Sequence, residues 1–161
     1  MQDQSLARIL TVEDDPIVQR DLRLILEDAG YHVSGARDGI EAVDEARRQR
    51  PDLIVMDLGL PRLDGVAATE QILEERDVPI VALSGRNKHE LRERAAAAGA
   101  VRHLAKPFSE TELVSTLADV LAERRRERAD RHLKHTVESL QRLGRSESEI
   151  VAELHRSAEG T

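Results

Sequence analysis

The 161-residue chain has no cysteine and no tryptophan, and its only aromatic residues are Tyr31 and Phe108. Without cysteine there is no disulfide scaffold, no thiolate zinc site and no cysteine nucleophile. With 1% aromatics the core must be aliphatic, and the stacking platforms of a single-strand nucleic-acid binder are missing. No apolar run approaches the roughly 20 residues of a membrane span. Met1-Gln2-Asp3-Gln4-Ser5 has neither the cationic nor the apolar part of a signal peptide. A soluble, cytoplasmic protein without membrane contact is expected. Basic charge is also short: 24 Lys and Arg against 31 Asp and Glu leave −7, a poor basis for non-specific nucleic-acid binding.

What is present is a globular balance, 40% hydrophobic and 34% charged. The first 110 residues alternate short β-branched runs with longer amphipathic ones. Ile9-Leu10-Thr11-Val12 reads as a buried strand stopped by Glu13-Asp14-Asp15. Asp15-Pro16 then supplies an N-cap and a proline suited to the first helical position. Ile17, Val18, Leu22, Ile25 and Leu26 follow at helical spacing, and Gly30 closes that helix. Tyr31 to Ala36 is a second strand. Asp38 caps a second helix with Ile40, Val43 and Ala46 on one face, and Pro51 stands just beyond its end.

Leu53-Ile54-Val55-Met56, the most hydrophobic short run, ends abruptly at Asp57 and suits the central strand of a sheet covered on both faces. A loop from Gly59 to Gly65 leads into a third helix ending near Arg76. Ile80 to Leu83 is a fourth strand, Lys88 to Ala98 a fourth helix closed by Gly99, and Val101 to Leu104 a fifth strand. Ser109-Glu110-Thr111-Glu112 is a capping box opening a fifth helix. Five β-α units in about 120 residues predict a doubly wound α/β domain. From Glu123 to Arg145 the chain turns locally basic, with eight Lys and Arg against four Asp and Glu. Leu133, Val137 and Leu140 mark a narrow stripe on a sixth helix that Gly144 breaks. Ser146-x-x-Glu149 caps a short seventh helix lined by Ile150, Val151 and Leu154, which makes the tail a helical hairpin.

In open α/β sheets, ligands bind beyond the carboxyl ends of the strands. Glu13 and Asp14 follow the first strand and Asp57 ends the third. In a strand order 2-1-3-4-5 those strands are neighbours, and the three carboxylates converge. Like charges so close repel unless a cation joins them, and hard oxygen donors with room for water describe Mg²⁺ rather than zinc. Ser84 ends the fourth strand and Lys106 the fifth, so a hydroxyl and an ammonium face the same place. A metal, a carboxylate, a hydroxyl and a lysine are parts for phosphoryl transfer.

These residues fall in four motifs: Val12-Glu13-Asp14-Asp15-Pro16, Met56-Asp57-Leu58-Gly59-Leu60-Pro61 with Asp64-Gly65, Leu83-Ser84-Gly85, and Lys106-Pro107-Phe108. Together they resemble the receiver domain of two-component response regulators, over about residues 6 to 123, with 124 to 161 as a helical extension. The resemblance implies a flavodoxin-like five-stranded parallel sheet. It also implies that Asp57 is the phosphoacceptor and that Glu13, Asp14 and Asp57 bind Mg²⁺ with the backbone carbonyl of Gly59. Lys106 and Ser84 would each meet a phosphoryl oxygen, across a cis Lys106-Pro107 bond. Asp15 is expected to cap its helix rather than to bind metal. Three positions before the lysine the family usually has Tyr or Phe, and here stands His103, so the switch pair becomes Ser84 and His103.

The implied role is that of a phosphoacceptor signalling protein that assists its own phosphorylation and dephosphorylation, not an enzyme. Its partner would be a sensor histidine kinase or a phosphotransfer protein, and the switching face would be the fourth helix, fifth strand and fifth helix. Two other Mg²⁺-dependent α/β classes fail on residues. Haloacid-dehalogenase-type phosphatases need Asp-x-Asp after the first strand, where this chain has Glu-Asp-Asp. Toprim domains need Asp-x-Asp after a later strand, where Asp57 is followed two on by Gly59. The stretch from Leu143 to Leu154 resembles the opening of a helix-turn-helix, but Thr161 falls where a recognition helix would begin, so DNA contact is not expected. The chain then reads either as a receiver with an interaction hairpin, pairing as a homodimer through the fifth helix and the hairpin, or as the receiver portion of a DNA-binding regulator. His132, His135 and the run Arg124 to Arg128 read as solvated helix surface.

Overall fold

The computed structural model describes residues 6–85 and 87–159. The stretch read as lacking a signal peptide, residues 1–5, lies outside the described residues, as does Thr161. The element order is β1 (Arg8–Val12), α1 (Pro16–Asp28), β2 (His32–Ala36), α2 (Gly39–Gln49), β3 (Leu53–Asp57), α3 (Gly65–Glu75), β4 (Ile80–Gly85), α4 (His89–Ala98), β5 (Arg102–Lys106), α5 (Glu110–Arg142) and α6 (Glu147–Glu159). All strand pairs are parallel, and the sheet order is β2-β1-β3-β4-β5. This is the flavodoxin-like arrangement expected from the sequence.

Side chains alternate across the pleat and so build two cores. On one face Leu10, Val12, Ile54, Met56, Ile80 and Ala82 pack with residues of α2, α3 and α4, among them Val43, Ile72 and Ala95. On the other, Ile9, Leu53, Val55, Val81 and Leu83 pack with Leu22 and Leu26 of α1 and with Leu113, Leu117 and Val120 of α5. Every residue of β3 is buried, as a strand flanked by neighbours on both edges and helices on both faces must be.

Local chemistry sets the helix starts. Asp15 Oδ1 accepts from the amides of Ile17 (2.8 Å) and Val18 (3.3 Å), with Pro16 at the first helical position. Asp38 and Asp64 cap α2 and α3 in the same way. Both capping boxes form: Ser109 and Glu112 exchange backbone-to-side-chain bonds of 2.9 and 3.1 Å, and Ser146 and Glu149 do so at 2.8 and 3.4 Å.

Several boundaries and burials differ from expectation. β4 runs on to Gly85 and β5 covers Arg102–Lys106, so Ser84 and Lys106 lie within strands. Ile17 is 70% exposed and Ile40 48% exposed, although both fit the apolar spacing of their helices. Each sits in the first turn of its helix, whose opening lies at the carboxyl end of the sheet rather than over it. The separate sixth helix does not exist. α5 continues without a break for 33 residues, because no glycine or proline interrupts Glu110 to Arg142. The chain therefore has six helices, not seven, among the described residues.

The chain divides into two compact units, Met1–Leu121 and Ala122–Thr161. The second comprises the end of α5 and α6, joined by a turn in which Gly144 takes φ 77°. In it Ile150 is buried and Val137, Leu140 and Leu154 are half-buried, while Leu133, Leu143 and Val151 are exposed. No helix among the described residues is long and apolar enough to cross a membrane.

Candidate functional site

Parallel pairing puts the carboxyl ends of β1, β3, β4 and β5 side by side. Val12 pairs with Met56, Asp57 with Leu83, and Gly85 with Lys106. Glu13 follows β1 directly and Asp57 closes β3, so residues 44 positions apart arrive on one ledge. Glu13 is 2% exposed and Asp57 6%. Asp14, next to Glu13, points to solvent. One carboxylate oxygen of each of Glu13, Asp14 and Asp57 lies within 4.8 Å of the others, the one metal-suited cluster among the described residues.

Lys106, the last residue of β5, reaches into this ledge. Its Nζ donates to Glu13 Oε2 at 2.9 Å and to Asp57 Oδ2 at 3.2 Å. The Lys106-Pro107 peptide bond is cis. Burial pushes the Glu13 carboxyl above its usual range, and the Asp57 charge adds to this; the Lys106 bond works against both. Burial likewise opposes the charge on Lys106. There the Glu13 hydrogen bond and the two carboxylates prevail, and the amine is held above its usual range.

The other oxygen of each of these carboxylates accepts from the backbone. Gly59 N–H donates to Asp57 Oδ1 at 3.0 Å, and Asp15 N–H to Glu13 Oε1 at 3.3 Å. Gly59 thus meets Asp57 through its amide. The loop carrying it is tied down by Arg62, which pairs with Asp38, the cap of α2. Gly65 opens α3 directly against the strand end: a Cβ there would stand 2.2 Å from the Asp57 carbonyl oxygen. The Asp64-Gly65 pair was legible as a motif, but the close approach that requires glycine was not.

Ser84 is 4% exposed and its hydroxyl does not engage the carboxylates. Its Oγ lies 2.6 Å from His103 Nε2, with the Gly85 carbonyl at 3.5 Å as its other neighbour. His103, half-buried on β5, has its pKa lowered from 6.5 by burial, with the Arg92 charge adding to the effect. The strand-end pattern singled out Ser84 and the family resemblance His103, but neither gave a sign that they bond to one another. His132 and His135 are exposed on α5 and join no such cluster.

The arrangement can hold a divalent cation on three hard oxygens beside a buried, doubly hydrogen-bonded carboxylate and a lysine. Known proteins resemble the chain that carries it. The response regulator receiver domain family matches residues 9–118. The transcriptional regulatory protein PdtaR of Mycobacterium tuberculosis is 41% identical over 111 residues, 68% of this chain and 54% of that protein. The response regulator MprA of Mycobacterium leprae is 41% identical over 115 residues, 71% of this chain and 50% of that protein. The chain thus spans about half the length of the curated relatives it matches. Among solved structures, the receiver domain of the sensor histidine kinase PA1611 from Pseudomonas aeruginosa has a magnesium ion coordinated in its active-site cleft. It superposes with a TM-score of 0.68 at 41% identity, covering 73% of this chain and 98% of that one. The chemotaxis protein CheY4 of Vibrio cholerae gives a TM-score of 0.68 at 31% identity, over 71% and 98%. A match of this extent, on a sheet of the same order, shows that the chain belongs to the response regulator receiver domain family of two-component systems.

Proposed function

We propose that Asp57 accepts a phosphoryl group from a phosphohistidine of a sensor histidine kinase or phosphotransfer protein, in a reaction that requires Mg²⁺. The observation that carries this reading is the clamp on Asp57. Gly59 N–H holds one carboxylate oxygen and Lys106 Nζ the other, in a site otherwise lined by acids. In the transfer an Asp57 oxygen bonds to phosphorus as the phosphorus–nitrogen bond breaks. The electron pair stays on the departing imidazole, which takes up a proton.

The donor set fits Mg²⁺. Three carboxylates converge, no nitrogen or sulfur ligand is among them, and the exposure of Asp14 leaves room for water. When bound, the ion neutralises charge on the phosphoryl oxygens. The chain's own residues do the rest. Glu13, Asp14 and Asp57 would hold the ion, with the backbone carbonyl of Gly59 as a further oxygen donor. Lys106 would exchange its carboxylate partners for a phosphoryl oxygen, and Ser84, once released from His103, would donate to another. Positioning and charge neutralisation supply most of the rate in such transfers.

Intact mass after treatment with acetyl phosphate and Mg²⁺ tests the reading. One added phosphoryl group is expected, absent in Asp57→Asn and absent when Mg²⁺ is chelated. Labelling that persists unchanged in Asp57→Asn overturns the assignment.

A further inference from the structure

The bond between Ser84 and His103 lies beside the site and takes no part in the transfer chemistry. Ser84 stands one residue beyond Leu83, the partner of Asp57 across β3 and β4. A hydroxyl has a single proton to donate. At 2.6 Å from Nε2 and 3.5 Å from the Gly85 carbonyl, that proton is well used only if Nε2 accepts it. The neutral ring then carries its own proton on Nδ1. Burial and the Arg92 guanidinium on α4 both favour the neutral ring. On β5 itself, the nearest charged side chains are Arg102 and Lys106, and neither supplies a negative charge.

We propose that His103 is a positioning residue for Ser84: its neutral ring ties the hydroxyl proton away from Asp57, and its protonated ring frees that proton for a phosphoryl oxygen. In the protonated ring Nε2 becomes a donor, so the Ser84 oxygen accepts along the same line and its proton must point elsewhere. Nothing is oxidised or displaced; one hydrogen bond reverses direction. Because the freed proton helps only when a phosphoryl group is present, protonation of His103 and occupancy of Asp57 favour one another. Such coupling is reciprocal. The inference rests on the phosphoacceptor reading for its second half; the bond direction stands without it.

Long-range ¹H–¹⁵N correlation spectra of the full chain test both halves. In the unphosphorylated protein near neutral pH, Nε2 of His103 is expected to show the shift of an unprotonated acceptor nitrogen, and Ser84→Ala is expected to move its titration midpoint. An Nε2-protonated ring, or a midpoint unmoved by Ser84→Ala, overturns the latch. Beryllium trifluoride with Mg²⁺ is then added as a phosphoryl mimic. The proton affinity of His103 is expected to rise about fivefold or more, and the rise to vanish in Ser84→Ala. An unchanged midpoint with the mimic seated at Asp57 overturns the coupling. A mimic that never seats overturns the phosphoacceptor reading and with it the coupling, and leaves the bond direction decided by the first spectra.

Discussion

Lys106 and Glu13 lie 93 positions apart in the chain, and their side chains meet at 2.9 Å. The lysine also touches Asp57 at 3.2 Å, so one ammonium holds together two buried carboxylates that would otherwise repel. This contact is the electrostatic keystone of the site in the absence of a cation.

Removing it exposes the repulsion. Lys106→Met is expected to lose about 1–3 kcal/mol in urea unfolding near neutral pH, since each buried carboxylate loses a charged hydrogen-bond partner. Millimolar Mg²⁺ should restore most of that loss by supplying the missing positive charge. A deficit unaffected by Mg²⁺ would point to lost packing instead.

Metal affinity should follow the ligand count. Mg²⁺ at a hundredfold excess over its Kd is expected to stabilise the native chain by about 2.7 kcal/mol. Asp14 is exposed, so Asp14→Asn removes a ligand without disturbing the core. Its Mg²⁺ affinity, followed by thermal shift, should fall by about tenfold or more, with the fold intact in the absence of metal.

Gly65→Ala is expected to destabilise, against the usual trend. Replacing glycine by alanine in a helix ordinarily gains about 0.5–1 kcal/mol. Here the added Cβ would lie 2.2 Å from the Asp57 carbonyl oxygen and 2.7 Å from the Leu58 Cα, both backbone atoms that cannot turn aside. The overpacking cost of about 1–3 kcal/mol wins. Urea unfolding should show the loss, and phosphoryl labelling should slow because the strand end carrying Asp57 is displaced.

His103 makes stability depend on pH in a defined direction. Its pKa in the folded chain lies below the 6.5 of a free imidazole. Between those two values the unfolded chain binds more protons than the native one, so stability falls as pH drops through 6.5 and levels off below the folded value. One such group contributes a slope of at most about 1.4 kcal/mol per pH unit. Urea midpoints across that range should show a steeper acid decline for the native chain than for His103→Phe.

Much of this protein was determined by the sequence alone. The Asp15, Asp38 and Asp64 caps and the two capping boxes are local signals, and the helices they open are present because neighbouring residues suffice to start them. The acids, hydroxyl and lysine were also legible, because strand ends in a parallel sheet share one edge whatever the helices do. Tertiary structure alone decided the rest. Ile17 and Ile40 match the core pattern yet face solvent, since burial depends on where a helix begins over the sheet. The partners of Lys106 and the bond from Ser84 to His103 depend on which side chains meet across strands, a distance in space that spacing along the chain does not encode.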